Sequence, residues 1–447
     1  MKTPKESPPA EVADEPKQAG EALRQRWSWV EPKVWTERML EALERGVKGG
    51  QWFALMDKVY DPRHLRSAFA DVYGNQGAPG SDGQGVEPFL ANLAEEINWL
   101  AQELREDRYQ PHPVRRVWID KEGSREKRPL GIPAVRDRTV QTALRYVLEP
   151  IMERDFAPQS YGFRPGRGCK DALRRVDQLL RSGSIHVVDA DIKGYFDNIP
   201  HERLMALVAQ RIRDGRVLAL VKSFLQAGVL NELREWEPTE AGTPQGAVIS
   251  PLLANLYLHP LDLLMQESGV EMVRYADDFV LLCPSREQAM AALARVQQWM
   301  TEQGLRLHPE KTRVVDLGQP KEGFDFLGYH FHHGGKRWPR PKSLQKLKTN
   351  LRPLTKRTNG HSLRDIIATL NPKLRGWYGY FRHASRSSLS GVDGWVRGRL
   401  RSILRKRAGM RGCGRGLDHQ RWPNAYFARH GLFSLHEARC AAVQSHG

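Results

Sequence analysis

Glu271-Met-Val-Arg-Tyr-Ala-Asp-Asp-Phe-Val-Leu-Leu282 consists of two short β-prone runs joined at a tight turn that carries two adjacent acids. Adjacent carboxylates repel, and an apolar strand is a costly place for either unless a cation sits there. Taken alone, an Asp-Asp turn is more often a solvated one. A third acid in a similar setting changes the reading. In Ile185-His-Val-Val-Asp-Ala-Asp-Ile192, Asp189 and Asp191 share one face of a strand that otherwise reads as buried. Asp191 with Asp277 and Asp278 would make a nest of hard oxygens for two divalent ions, as in-line phosphoryl transfer requires.

Tyr275-Ala-Asp-Asp278 also resembles the signature of reverse transcriptases, and its neighbours resemble the reverse transcriptase/maturases encoded by group II introns. The likeness is an ordered series of blocks running from about residue 50 onward. It implies an α+β right-hand polymerase, with fingers, a palm holding a small antiparallel sheet, and a helical thumb or maturase region. It further implies Asp191, Asp277 and Asp278 as the catalytic acids. With the Ile192 carbonyl they would hold two Mg²⁺ ions.

Composition narrows the partners. Of the net charge of +17, residues 336–447 hold 25 Lys and Arg against 4 Asp and Glu, whereas residues 1–335 hold 44 against 48. All the excess positive charge therefore lies in the last quarter, which points to a phosphate backbone. The four cysteines lie far apart, with no C-x-x-C pair, so neither a disulfide scaffold nor a zinc module is indicated. There is no run of 18 apolar residues and no signal-peptide h-region near Met1. No membrane partner and a cytoplasmic location are expected.

Along the chain, residues 1–25 read as a disordered leader. Residues 26–90 read as an amino-terminal extension whose loop Asn75-Gln-Gly-Ala-Pro-Gly80 resembles the template-contacting loop of the family, with Asn75, Gly77 and Gly80 as contacts. Residues 91–335 read as fingers and palm. Within them, Val114–Ile119 and the return past Leu130 form a hairpin with basic residues flanking its turn. By resemblance, Lys121 and Arg128 grip the phosphates of the incoming nucleotide. Ser160-Tyr-Gly-Phe-Arg-Pro-Gly-Arg167 offers Arg164 and Arg167 either to phosphates or to the fold.

Tyr195, four residues past Asp191, is read as the aromatic that excludes a ribose 2′-hydroxyl, and Asp197 as a helix-capping acid. Gln245 and Gly246 match the motif over the nucleotide and template base, although Ala247 stands where the family often has glycine. Lys311 matches the lysine near the leaving pyrophosphate, with His308 in place of the commoner serine. Phe326, Leu327 and Gly328 match the primer grip.

Residues 336–410 interleave aromatics with basic groups, and resemble the thumb and maturase region. Arg375, Trp377 and Arg399 are its candidate nucleic-acid contacts, while most of the aromatics around Trp377 read as thumb core. Residues 411–447 read as a short basic-aromatic tail. No paired cysteines or His-Asn-His pattern follow, so the resemblance implies a member without the carboxy-terminal endonuclease.

The expected activity is RNA-directed DNA polymerisation from dNTPs on a DNA primer or target, joined to binding of the chain's own intron RNA for splicing and mobility. The rivals are a splicing-only RNA-binding maturase, a domesticated or defence-associated reverse transcriptase, and an RNA-copying RNA polymerase.

Overall fold

The computed structural model describes residues 22–47, 50–120, 127–411 and 416–444. Lys121 and residues 1–21 of the expected leader lie outside that set. Strands are β1 (Val114–Asp120), β2 (Lys127–Ile132), β3 (His186–Asp191), β4 (Val229–Leu230), β5 (Trp236–Glu237), β6 (Glu271–Tyr275), β7 (Asp278–Cys283), β8 (Arg313–Asp316), β9 (Gly323–Phe326), β10 (Tyr329–His332) and β11 (Lys336–Pro339). The helices used below are α1 (Pro62–Asn75), α2 (Val135–Glu153), α3 (Cys169–Arg181), α4 (Ser250–Glu267), α5 (Arg286–Glu302), α6 (Pro341–Leu351), α7 (Leu363–Phe381), α8 (Arg386–Arg407) and α9 (Leu435–Gln444). This is the α+β architecture that the sequence implies.

A four-stranded antiparallel sheet, in the order β6-β7-β3-β8, lies between two apolar cores. Strand alternation sends Val188, Ala190, Phe279 and Leu281 to the core shared with α2, α4 and α5. Val187, Val273, Val280 and Leu282 enter the core shared with α3, the β9–β10 hairpin and the carboxy-terminal helices. Burial on both faces is why these strands read as continuous apolar runs. It also places Asp191, Asp277 and Asp278 together at the end of β3 and the β6–β7 turn.

The second sheet, β2-β1-β4-β5, carries the hairpin predicted between Val114 and Ile132, with Ile119 opposite Arg128 and Asp120 opposite Lys127. The third, β11-β10-β9, is antiparallel and turns at Leu327 (φ 45°) and Gly328 (φ 81°), a two-residue turn of left-handed residues. Helices α6 to α9 complete the second core. The described part of the tail packs there too: Arg405 pairs with the buried Asp418 at 2.7 Å, and Arg401 donates to the Trp422 carbonyl at 2.9 Å. No helix among the described residues is long and apolar enough to cross a membrane.

One buried ion pair fastens the β6–β7 hairpin to α4. Arg274 and Asp262 both have fully buried side chains and meet through two hydrogen bonds, Nε–Oδ1 at 2.7 Å and Nη2–Oδ2 at 2.5 Å. Arg274 Nη1 also donates to Asn255 Oδ1 and to the Ala276 carbonyl, both at 2.9 Å. Removing one member leaves the other charge buried and unpaired, a loss of about 3–5 kcal/mol. Urea unfolding of Arg274→Met is expected to show that loss, and Arg274→Met/Asp262→Leu is expected to recover most of it. Equal losses in the single and double variants would contradict the pairing.

Candidate active site

The β6–β7 turn is Ala276-Asp277, with Ala276 in the left-handed region at φ 58°. That conformation costs a non-glycine residue about 1–3 kcal/mol, and the surroundings hold it. Arg274 grips the Ala276 carbonyl from below. From the side, Gly162 lies so close that a Cβ on it would stand 2.3 Å from the Ala276 nitrogen. The Ser160-Tyr-Gly segment runs alongside β6, with the Tyr161 amide donating to the Arg274 carbonyl at 2.8 Å and the Arg274 amide to Gln159 at 3.0 Å.

This position corrects the expectation for Arg164. Its guanidinium is buried, paired with Glu153 at 2.6 Å and donating to the carbonyls of Ala157 and Ser160, so it holds the loop and is closed to phosphates. Arg167 is half-buried and donates to the Pro158 carbonyl at 2.6 Å.

Asp191 stands directly opposite Asp278 across β3 and β7, and Asp277 is the next residue back on the turn. Like charges directly opposite are destabilising. Burial, followed by the charges of Asp189, Asp277 and Asp191, pushes Asp278 up to about 7, while an N–H from Leu327 pulls it back. Burial and the Asp191 charge raise Asp277 as well. Asp189, two residues before Asp191 on the same face, is pushed up to about 6 mainly by burial, with Arg313 opposing.

The donor set is all carboxylate and short of positive charge, which fits hard divalent cations. It is not a formed cage: no three Asp, Glu, His or Cys groups among the described residues already converge on one point. Lys311 Nζ lies 2.5 Å from Asp191 Oδ2 and supplies that carboxylate with a positive charge. The Asp191 carbonyl accepts from His308 at 2.7 Å, and the Lys193 amide donates to Arg306 at 2.9 Å. That bridge leaves the Ile192 carbonyl out of its hydrogen bonds.

The aromatic expected to face a sugar, Tyr195, is turned away from the open site. Gly194, at φ 57°, starts a 3₁₀ turn over Tyr195–Asp197 that sends Tyr195 into the core. Tyr195 is 2% exposed, and its hydroxyl donates to the Ala254 carbonyl at 2.5 Å. Phe196 instead lines a cavity of about 350 Å³ together with Asp197, Gln245, Arg116 and Trp118. Asp197 is no cap: its carboxylate accepts from Gln245 Nε2 at 3.3 Å. The Gln245 carbonyl in turn accepts from Gly131 of β2 at 2.6 Å, which ties the hairpin to this loop.

A larger cleft of about 900 Å³ brings together Arg128, Leu327, Gly328 and Trp377 with Lys342, Lys346 and Lys373. The Trp377 Nε1 is buried without a hydrogen-bond partner among the described residues. Phe326 is fully buried in the core, so of the expected grip only the Leu327–Gly328 turn is presented. One further expectation fails on geometry. Gly80 is buried, and a Cβ on it would stand 2.4 Å from the Ala134 nitrogen, so it docks the loop rather than touching a template. Arg399 is engaged with the Thr355 carbonyl at 2.8 Å. Asn75 and Gly77 are exposed, with Arg138 bracing the same loop through the Gln76 and Ala78 carbonyls. Arg375 is exposed over the Phe433 ring.

Sequence reasoning missed Arg274, Asp262, Asn255 and Gly162. A charge inside an apolar strand, with Asn and Asp seven residues apart on an apolar helix, was the available signal.

Residues 119–331 match the family model described as reverse transcriptase (RNA-dependent DNA polymerase), and residues 344–422 match the group II intron, maturase-specific domain. Protein YkfC of Escherichia coli (strain K12) is 35% identical over 316 residues, covering 62% of this chain and 82% of that protein. Group II intron-encoded protein LtrA of Lactococcus lactis subsp. cremoris is 42% identical over 197 residues, covering 44% of this chain and 32% of LtrA. An uncharacterized 91 kDa protein in cob intron of Schizosaccharomyces pombe is 45% identical over 166 residues, 37% of this chain and 20% of that protein. The chain thus spans most of the first relative and no more than a third of the other two.

Because Asp278 titrates higher in the folded chain than in the unfolded one, its ionisation costs stability above the unfolded value of about 4, increasingly up to about 7. In EDTA, the wild type is expected to lose stability relative to Asp278→Asn as pH rises from about 4 to 8, by a few kcal/mol in order of magnitude. A difference independent of pH would contradict the carboxylate crowding.

Proposed function

The chain belongs to the reverse transcriptases that carry a group II intron maturase-specific domain, and from that premise we propose that it copies RNA into DNA by extending a primer 3′-hydroxyl with dNTPs. The same chain binds its intron RNA to assist splicing and mobility. In this division residues 91–335 polymerise and residues 336–410 hold nucleic acid. The supporting observation is that Asp191 lies opposite Asp278, with Asp277 next to it, at one end of the sheet, where their mutual repulsion favours cations. A splicing-only maturase needs no such arrangement.

Asp191, Asp277, Asp278 and the Ile192 carbonyl would hold two Mg²⁺ ions, which when bound supply positive charge to the attacking and leaving oxygens. Lys311, freed from Asp191 once that carboxylate has another counter-ion, would carry a proton to the leaving pyrophosphate. Lys121 and Arg128 would clamp the triphosphate from the hairpin. Gln245, held by Asp197, would lie over the nucleotide. The Leu327–Gly328 turn would seat the primer terminus. Its amide reaches Asp278, so primer seating and the metal ligands are joined by one hydrogen bond. Phe196, in place of Tyr195, would stand beneath the sugar and reject a 2′-hydroxyl by contact.

Primer extension on an RNA template with dNTPs and Mg²⁺ tests the reading. Asp277→Asn is expected to lose several kcal/mol of transition-state stabilisation, about a thousandfold in rate. Undiminished extension would refute the metal assignment, and a folded, RNA-binding wild type that never extends would leave only the splicing role. In the same assay Phe196→Ala is expected to raise ribonucleotide incorporation roughly 10–100-fold, and Tyr195→Phe to leave sugar preference unchanged. The reverse pattern would return the gate to Tyr195.

A further inference from the structure

A second cavity, of about 190 Å³, lies between one face of α3 and the β10–β11 strands with the end of α7. Of the residues that line the large cleft, only Tyr380 also lines this one. Lys170, Arg174 and Arg181 recur at helical spacing along α3, and Arg337 and Arg382 stand opposite them. The one acid in the lining is Asp177, which both Arg337 (2.9 Å) and Arg181 (3.0 Å) already engage. Arg174 is held by Asp171 at 2.9 Å.

Lys170 and Arg382 have no carboxylate partner among the described residues, and both are exposed. Arg382 Nε donates instead to His383 Nε2 at 3.1 Å, which requires that ring nitrogen to be unprotonated. Partial desolvation and the charges of Arg337, Arg382 and Arg439 hold His383 down to about 4. A histidine kept neutral among arginines reports a strongly positive surface, and five cations gathered around the two acids Asp171 and Asp177 leave an excess of positive charge. Such a surface is built for a polyanion.

The basic face runs from Lys170 to Arg181, about 16 Å along the helix, longer than a single phosphate requires. We propose that this groove holds the phosphate backbone of a structured RNA helix other than the template–primer, so that RNA is docked beside the palm while the cleft is occupied. The proposal rests on the reading that the chain binds structured RNA. Leu173 and Tyr329 give the groove an apolar floor, and the guanidinium and ammonium groups on its rim make sequence-independent contacts.

The test uses the full chain, loaded with unlabelled primer–template carrying a blocked 3′ end, and a fluorescein-labelled RNA stem-loop of about 20 base pairs, longer than the roughly 16 over which a double-stranded-RNA reader makes its contacts. Lys170→Glu/Arg382→Glu is expected to weaken stem-loop binding at least tenfold and to lower the salt slope of log K by about 2, close to one unit for each lost phosphate contact. Its primer extension should match the wild type, which also shows that it folds. If the reversals impair folding, Lys170→Gln/Arg382→Gln takes their place, with a smaller loss expected. Equal stem-loop affinity in variant and wild type would overturn the groove while leaving RNA binding intact. A wild type that extends primers but binds no stem-loop would overturn the RNA-binding reading and the groove with it. Displacement of the stem-loop by millimolar inorganic phosphate, at matched ionic strength, would show a small-anion site and overturn the RNA assignment.

Discussion

The buried Arg274–Asp262 pair is the constraint on which the rest of the site depends. A guanidinium with no solvent access is tolerable only with its charge matched and its donors used, and here Asp262, Asn255 and the Ala276 carbonyl take them. One consequence is mechanical. The turn is drawn down onto α4, Ala276 is forced into the left-handed region, and Asp277 and Asp278 are delivered to the open end of the sheet. Another is electrostatic, since Arg274 is among the charges that hold the Asp277 carboxylate down against burial. The pair therefore sets both the position of the acids and part of their charge balance.

Above this base the carboxylates are crowded, and either a proton or a cation relieves their repulsion. Their strand positions are fixed by a sheet buried on both faces, so they cannot separate without moving core residues such as Val280 and Phe279. Lys311 supplies one positive charge to Asp191 from the flexible end of an exposed side chain, which makes it a replaceable counter-ion. Asp278 takes a single N–H from Leu327. Crowded acids, an exposed lysine and the Leu327 amide therefore lie within one connected set of polar contacts.

Much of this was legible in the sequence because its cause is local. Alternating apolar runs with acids at their ends locate the strands of the central sheet, and the charge imbalance marks residues 336–447 as the strongly basic part of the chain. What was not legible depends on rotation and reach. Tyr195 and Phe196 are adjacent aromatics, and the left-handed Gly194 and the short 3₁₀ turn decide which enters the core. Arg164 sits in a glycine-rich loop that suits phosphates equally well, but its partner Glu153 waits at the end of a preceding helix. Phe326 and Gly80 likewise share motifs with less buried neighbours while being buried themselves. Motif membership names segments, and packing decides which residues within them are buried and which are presented.

The central claim is that Asp191, Asp277 and Asp278 are jointly a divalent-cation site, and counting bound ions tests it most directly. Mn²⁺ serves as a paramagnetic substitute with the same oxygen preference. Electron paramagnetic resonance of the full chain, in complex with RNA template, chain-terminated primer and the next dNTP, reports the ions held per chain. The account predicts about two Mn²⁺ per complex for the wild type, with at least one lost in Asp278→Asn while the variant still binds primer–template. Equal Mn²⁺ occupancy in the two proteins would contradict it.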